Sequence, residues 1–467
     1  MDHEPNPRRR TLILINACVI TFMSTLDGSI VNIALPTLAG AFRVGISSVQ
    51  WVTTSYLLVI SALLLIWGRL SDIYGRKRFF GAGLAVFTIG SLLCGLSNSL
   101  AALVASRVLQ ATGASMAMAL VQGIVTSAYP PNERGKALGF VGAVVSIGSL
   151  VGPGLGGLLV QTAGWRSIFY INVPVGALGV ILTIVNMPES RSAGPRARFD
   201  APGAALFSLA IAAFFGGLLV LQEGVLAPAA ALGLVAAALA LFVGFLRAER
   251  RPEPLVDGSL LRSRVFTIGV TVSCLSYMAM FAYTFFMPFF LQDAKGLSAL
   301  QAGALMSLYP VVTAVLAPLS GALSDRITYR PLTIGGLFVN ALGLALLAIM
   351  GPASSFVALG AIIVLLGVGG AAFTSPNNSS VMGSAPRERL GVAGSLNSFF
   401  RNLGMVAGTT AAVSLFTLST KTRIDAVAAG SIDTGVFLSG FRVVVLAAAG
   451  FALLGMGLEL MGRSRAE

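Results

Sequence analysis

Charged side chains are scarce in this chain of 467 residues, and histidine and cysteine are scarcer still. Only 10% of the residues are charged and 56% are hydrophobic, which excludes a water-soluble globular domain of this length. The single histidine, His3, lies in the N-terminal tail, so histidine-based metal sites and catalytic triads are excluded. Because Cys18, Cys94 and Cys274 fall inside apolar runs, we expect them to pack rather than form disulfides. The composition predicts an all-α polytopic membrane protein that is not an enzyme and needs no cofactor or metal.

Fourteen apolar runs are long enough to cross a bilayer as helices, since each holds about twenty residues. The first run follows a basic cluster, as in a signal peptide, but it is too long and contains polar residues, so we predict an uncleaved helix. The runs lie near residues 11–36, 47–67, 79–97, 100–127, 136–162, 168–187, 203–221, 226–247, 266–291, 300–324, 331–349, 354–376, 391–418 and 437–461.

The net charge of +13 comes mostly from basic residues between the apolar runs. If the N-terminus is cytoplasmic, 23 lysines and arginines fall in cytoplasmic segments and 5 fall on the other side. This bias follows the positive-inside rule and predicts a multi-pass protein of the cell membrane with both termini in the cytoplasm. Because the charges lie in loops beside the bilayer, we expect lipid rather than nucleic acid as their partner.

The chain contains an internal duplication with an offset of about 253 residues. The stretch GRLSDIYGRKRFF at 68–80 recurs as GALSDRITYRP at 321–331, and PPNERGKALG at 130–139 recurs as APRERLGVAG at 385–394. Helices one to six are thereby paired with helices nine to fourteen, and helices seven and eight have no counterpart. The predicted units are an N-terminal six-helix bundle at 1–187, linkers with an inserted two-helix hairpin (203–247) at 188–264, and a C-terminal six-helix bundle at 265–467.

Asp27 is the one acidic residue that lies deep in a predicted span, about 24 Å along the first helix at 1.5 Å per residue. A carboxylate in hydrocarbon is costly unless it faces a wet cavity or a partner, so it is either a structural ion-pair member or a protonatable carrier site. Arg107 in the fourth helix lies at a matching depth, with Gln110 one turn away. We expect Asp27 and Arg107 to pair, although Arg107 could instead extend toward the membrane surface.

The fifth helix contains the glycine-rich stretch GSLVGPGLGG. It matches a dinucleotide-binding pattern formally, but no strand precedes it and it lies inside an apolar span. Close helix packing and a proline kink explain it better, and both would suit a hinge for alternating access. The candidate hinge residues are Gly148, Gly152, Pro153, Gly156 and Gly157.

The ninth helix is rich in aromatic residues and methionine, which suit varied apolar or cationic ligands. Most of these side chains are expected to face lipid or pack in the core. Arg401, about ten residues into the thirteenth helix, is either a functional charge or part of a structural pair. The candidates for a substrate cavity are Tyr56, Tyr277, Phe281, Phe285 and Arg401.

Four segments resemble the fourteen-helix drug:proton antiporters of the major facilitator superfamily. They are LDGSIVNIALP at 26–36, the GRLSDIYGRKR loop, RVLQATG at 107–113, and GPGLGG followed by WRSIFYINVPVG at 165–176. The resemblance covers nearly the whole chain, and the last segment is quite specific for that subgroup. Ala111 departs from the glycine that is usual there.

The resemblance implies a fold of two six-helix bundles and the export of a lipophilic drug or dye in exchange for protons. It ties Asp27, Arg107 and Gln110 to proton and substrate coupling. We expect the protein to act as a monomer. Extra acids that accompany dicationic substrates are not visible in the second half, so monocationic or neutral compounds are expected. The implied conformational-switch loop comprises Gly68, Asp72, Gly75, Arg76, Lys77 and Arg78, with Asp325 in its repeat, and Gly68 and Gly75 are the predicted turn residues.

One other function stays open and two are disfavoured. The scaffold could export one metabolite or self-made antibiotic, which a deletion phenotype would distinguish from drug efflux. A proton-coupled peptide importer is disfavoured because the first helix lacks a Glu-x-x-Glu-Arg-Phe motif. A membrane-bound enzyme would need a cofactor loop, metal cluster or nucleophile motif, and the sequence contains none.

Overall fold

The computed structural model describes residues 7–130, 133–187, 201–223, 228–248, 260–386, 390–424 and 433–462. Within these ranges the chain forms helices and short connections. The long helices are α1 (Pro7–Phe42), α2 (Trp51–Tyr74), α3 (Arg76–Leu96), α4 (Leu100–Ala128), α5 (Arg134–Ala163), α6 (Asn172–Asn186), α7 (Ala201–Glu223), α8 (Pro228–Ala248), α9 (Arg264–Phe289), α10 (Ala299–Ile327), α11 (Tyr329–Ala348), α12 (Phe356–Gly383), α13 (Leu390–Ile424) and α14 (Thr434–Met461). Short helical segments lie at Ile46–Val49, Ser167–Tyr170, Leu260–Arg262 and Phe290–Ala294.

Twelve of the helices in the described ranges are long and apolar enough to cross a membrane. The remaining two, α7 and α8, form the inserted hairpin, and their apolar stretches of described residues are shorter, Pro202–Gly217 and Ala236–Phe245. The all-α membrane architecture is therefore confirmed, whereas the count of fourteen spans stays a prediction. The linkers on either side of the hairpin, at 188–200 and 249–259, lie outside the described residues.

The charged segment at 68–80 is more helical than predicted. Helix α2 continues through Gly68 to Tyr74, so the prediction that Gly68 is a turn residue is wrong. An apolar run measures only the part of a helix in hydrocarbon, and the backbone bonds of α2 continue past it. The turn is made by Gly75, whose φ is +103°. In the repeat, Thr328 takes the same role at φ +78°, a strained value for a β-branched residue.

The two halves of the chain repeat one packing pattern. Helix α1 packs on α4, α5 and α6, and α9 packs in the same way on α12, α13 and α14. The Arg9 Nε donates to the Asn186 carbonyl and the Arg264 Nη2 donates to the Met461 carbonyl, so each half begins and ends at one face. At the other end, the Gln292 Nε2 donates to the Ile33 carbonyl at 2.9 Å, which shows that α1 and α9 run in parallel. We call the end where α1 begins and α14 ends the terminal face.

In the described residues, the largest hydrophobic core shared by the two halves lies on the side away from the terminal face, which we call the far face. There one hydrophobic core joins Ile30, Ile33 and Leu38 of α1 to Phe286 of α9 and Leu305 of α10. Toward the terminal face, separate cores form around Ile13 and Phe80 in the first half and around Phe266 and Val381 in the second. In the described residues the two halves therefore share a core at the far face and keep separate cores toward the terminal face.

The inserted hairpin packs along one of the seams between the halves. Phe207, Ile211 and Phe215 of α7 form a buried cluster with Ala62 of α2 and Val406 of α13. The Ser208 hydroxyl donates to the Ala62 carbonyl at 3.0 Å. The opposite seam, between α5 and α10, depends instead on small residues: a Cβ at Gly157 would overlap the Ala299 carbonyl oxygen, and one at Gly303 would overlap the Pro153 carbonyl oxygen.

Candidate functional site

Asp27 and Arg107 form a buried ion pair at the centre of the first half. The Asp27 side chain is 0% exposed and that of Arg107 is 1% exposed, and Arg107 Nη1 contacts Asp27 Oδ2. The predicted pairing from matched depth is therefore present. Such a pair is costly to desolvate and is sustained only when the remaining polar atoms also find partners.

Further hydrogen bonds complete this network. The Gln110 Nε2 donates to Asp27 Oδ1 at 2.8 Å and to the Ser91 hydroxyl at 2.8 Å, while its Oε1 accepts from Arg107 Nη1 at 2.6 Å. The Asn172 Nδ2, from the first turn of α6, donates to Asp27 Oδ1 at 3.1 Å. Residues of α4 and α6 thus contact the Asp27 carboxylate of α1 directly, and α3 joins the network through the bond between Ser91 and Gln110.

Helix α2 supplies the other side of the arginine site. The Arg107 Nε donates to the Val52 carbonyl at 3.0 Å, and the guanidinium lies over the Tyr56 ring at 4.1 Å from its centroid. Tyr56, predicted as a cavity residue, is 2% exposed and forms the aromatic wall beside this charge. The described part of the network holds one negative and one positive side chain, so it is neutral as a unit.

The second half has an apolar counterpart at the same place. With the offset of 253 residues, Met280 takes the position of Asp27 and Tyr309 that of Tyr56, and the Tyr309 hydroxyl donates to Met280 Sδ at 3.3 Å. These two residues line a cavity of about 20 Å³ together with Tyr277, Tyr283 and Asn340. The two halves are therefore chemically unequal: the ion pair belongs to the first.

The glycines of α5 bring that helix close to α1. The Ser29 hydroxyl donates to the Gly148 carbonyl at 3.2 Å, a Cβ at Gly152 would overlap Ser29, and one at Gly156 would lie 2.6 Å from Ile30 and Ile33. Gly157 instead meets α10 across the seam, with Pro153 one turn before it. The close packing is confirmed, and the hinge role stays a prediction.

The remaining cavity candidates lie on α9 and α13. Phe285 is 2% exposed and packs on Phe286 and Phe289 inside the shared core. Phe281 is half-buried. Arg401 is half-buried with its guanidinium 6.0 Å from the Tyr277 ring centroid. In the described residues, no hydrogen bond, ion pair or cation–π contact joins any of these four residues to the Asp27 network.

The switch-loop residues lie at the terminal face. Arg76 Nη1 donates to the Gly123 carbonyl at 3.0 Å and Lys77 Nζ donates to the Ile184 carbonyl at 3.1 Å, which ties the start of α3 to α4 and α6, while Arg78 is exposed. The side chains of Asp72 and Asp325 lie outside the described residues.

Reasoning from the sequence missed Asn172 and Ser91 as members of the site. Asn172 stands in the WRSIFYINVPVG segment, but the sequence alone does not reveal its contact with Asp27. The available signal was an amide at the far-face end of a span that is otherwise apolar. Such a side chain is expected to seek a polar partner inside the bundle.

Comparison with known proteins identifies the class. The Major Facilitator Superfamily model matches residues 17–409. The riboflavin transporter RibZ of Clostridioides difficile (strain 630) is 38% identical over 412 residues, covering 88% of this chain and 89% of that protein. The multidrug resistance protein Stp of Mycobacterium tuberculosis (strain CDC 1551 / Oshkosh) is 34% identical over 86% of this chain and 75% of its own length. The tetracenomycin C resistance and export protein of Streptomyces glaucescens is 32% identical over 85% of this chain and 74% of its own length.

Solved structures agree in fold. A bacterial homolog of the human lysosomal transporter Spinster, in an inward-facing and occupied conformation, superimposes with a TM-score of 0.73 at 16% identity, covering 98% of this chain and 97% of that chain. The chain belongs to the major facilitator superfamily and is a multi-pass membrane transporter.

Proposed function

We propose that the protein exports lipophilic small molecules from the cytoplasm in exchange for protons. The observation that carries this proposal is the buried Asp27–Arg107–Gln110 network inside a carrier whose two halves share a core at the far face. If the basic terminal face is cytoplasmic, as the positive-inside rule predicts, this conformation receives substrate from the cytoplasm. The protein would then act in the cell membrane, and we propose that it does so as a monomer.

Coupling follows from the chemistry of the carboxylate. When Asp27 is ionised, Arg107 is held to it. When Asp27 takes a proton, that attraction is lost and Arg107 becomes free to interact with Gln110, Val52 and Tyr56 alone. A monocationic substrate would compete with Arg107 for the same negative charge, and a neutral one would sense only the rearrangement. An antiporter needs a coupling free energy of about 1.4 kcal/mol to change substrate affinity tenfold.

The relatives favour drug efflux without deciding the substrate. Stp and a relative from Bacillus subtilis (strain 168) are named as multidrug resistance proteins, and a further relative is named as a multidrug transporter protein, which supports a broad exporter. The relative named as a riboflavin transporter and the one named for tetracenomycin C export support the second candidate, a transporter dedicated to one aromatic compound. The Asp27 network fits either function, because its proposed role is to couple proton and substrate movement and not to recognise a particular substrate.

Purified protein in proteoliposomes tests the proposal. With ethidium outside and an imposed pH gradient, acid inside, we expect the dye to accumulate inside as protons leave, and the accumulation to stop when nigericin collapses the gradient. The matched control is the double variant Asp27→Asn/Arg107→Gln, which keeps the volume of the network without its charges. Equal gradient-driven movement in the double variant would refute coupling through Asp27. A transporter dedicated to one compound would instead transport its own substrate and would not transport ethidium or other lipophilic dyes.

A further inference from the structure

Arg401 on α13 carries a positive charge that no described side chain neutralises. It is half-buried, its Nε is buried without a hydrogen-bond partner, and no carboxylate in the described residues lies within ion-pair distance. The Tyr277 ring, at 6.0 Å, is at the outer limit for a cation–π contact and leaves the charge largely uncompensated. An arginine about ten residues into a spanning helix is costly unless it serves a wet cavity or a ligand.

The position of Arg401 on its helix directs it into the second bundle. Gly404 and Gly408 meet the backbone of α9 at Cys274 and Met278, and Arg401 shares their helical face. Phe399, Leu403 and Val406 lie on the other side of α13, where they pack against α2 and α7. The charge is therefore turned away from the inserted hairpin and toward α9 and α12.

Polar groups connect this charge to the terminal face. One turn closer to that face, the Asn397 Nδ2 donates to Asn378 Oδ1 at 2.8 Å, and the Asn397 Oδ1 is buried without a partner. Asn378 itself is exposed although it stands in the spanning helix α12. In the other direction Tyr277 lines the cavity of about 20 Å³ that also contains Tyr309 and Asn340. A ligand that enters between the bundles would meet amides, then a guanidinium, then aromatic rings.

We propose that Arg401, Tyr277 and Asn397 form a binding subsite for aromatic carboxylates and similar planar anions. The guanidinium supplies parallel N–H donors that match a carboxylate, and Tyr277 offers a ring face beside it. The neutral Asp27–Arg107 pair does not repel such an anion, since its two charges cancel. This inference rests on the proposed transport function for its biological meaning, and it extends the substrates from neutral and monocationic compounds to anions.

A matched set of ligands tests the subsite by binding alone. Isothermal titration of the detergent-solubilised full chain with 1-naphthoate and with 1-naphthamide compares two compounds of nearly equal shape that differ in charge. Wild type should bind the naphthoate at least tenfold more tightly, and Arg401→Gln should bring the affinity ratio to about one. Arg401→Lys keeps the charge without the planar donors and should give an intermediate ratio. The control is Arg442→Gln, which removes an exposed arginine from α14 and should leave the ratio unchanged.

A ratio near one in wild type, no binding of either compound, or an unchanged ratio in Arg401→Gln of normal thermal stability would overturn the subsite. The same ratio loss in Arg442→Gln would also overturn it, because net charge rather than a local site would then attract the anion. Naphthoate that binds with the expected pattern while ethidium is not moved by an imposed pH gradient supports the subsite and refutes the proposed export.

Discussion

The buried ion pair predicts an unequal response to single and double substitution. In Asp27→Asn, Arg107 keeps its charge but loses its counter-charge at 1% exposure. In Arg107→Gln, Asp27 keeps two amide donors, from Gln110 and Asn172, but not the guanidinium. Removing one partner of a buried pair costs roughly 3–5 kcal/mol, because the other charge is left uncompensated. The double variant leaves no charge and should be less destabilised than either single variant.

The assay is a double-mutant cycle on thermal stability, with transport measured in parallel. Each purified variant is unfolded in the same detergent at the same protein concentration, and residual dye transport is measured in vesicles. We expect the interaction free energy of the cycle to exceed about 2 kcal/mol, and gradient-driven transport to be absent in all three variants. If the effects of the single substitutions simply add in the double variant, the pair is not energetically coupled and the account of the network is wrong.

Three smaller predictions test separate parts of the structure. Asn172→Ala removes one donor to the Asp27 carboxylate and should cost about 1–3 kcal/mol with reduced coupled transport, and unchanged stability would show that the 3.1 Å contact is incidental. Thr328→Gly relieves a positive φ and should stabilise the chain by roughly 0.5–1 kcal/mol, whereas Gly75→Thr should destabilise it; a lower melting temperature for Thr328→Gly would contradict the strain. Gly303→Ala places a Cβ against the Pro153 carbonyl and should hold the far face open, which would increase cysteine labelling from that face. The control is Gly142→Ala, where a Cβ meets open space, and it should leave the labelling unchanged.

Depth along a helix is the part of the site that the sequence could predict. The rise per residue of a helix places Asp27 and Arg107 at one depth in the membrane and so predicts their pairing, and this depth can be found without knowing the fold. The direction of a side chain around the helix axis cannot be found in this way, because it depends on how the helices pack. Asn172 lies 145 residues from Asp27, and only the packing of α6 on α1 brings its amide to the carboxylate.

Two other features are not predicted correctly from the sequence. Hydropathy predicts an end of α2 that is too early, because it measures contact with lipid, whereas backbone hydrogen bonding continues the helix six residues beyond Gly68. The packing of Phe207 and Ile211 against α2 and α13 had no signal, since an apolar helix face gains about as much against lipid as against protein. The internal duplication, by contrast, can be recognised from the sequence because its repeated positions hold charged and turn residues.

The most direct test of the central claim uses a dye gradient to drive protons, instead of a proton gradient to drive dye. Proteoliposomes that contain the full chain and trapped pyranine are given a gradient of transported dye with no initial pH difference and with valinomycin and potassium to clamp the voltage. Exchange through Asp27 predicts that dye movement in one direction drives protons in the other, seen as a change in pyranine fluorescence that is absent in Asp27→Asn/Arg107→Gln. Dye movement at a wild-type rate with no pyranine change would contradict the account.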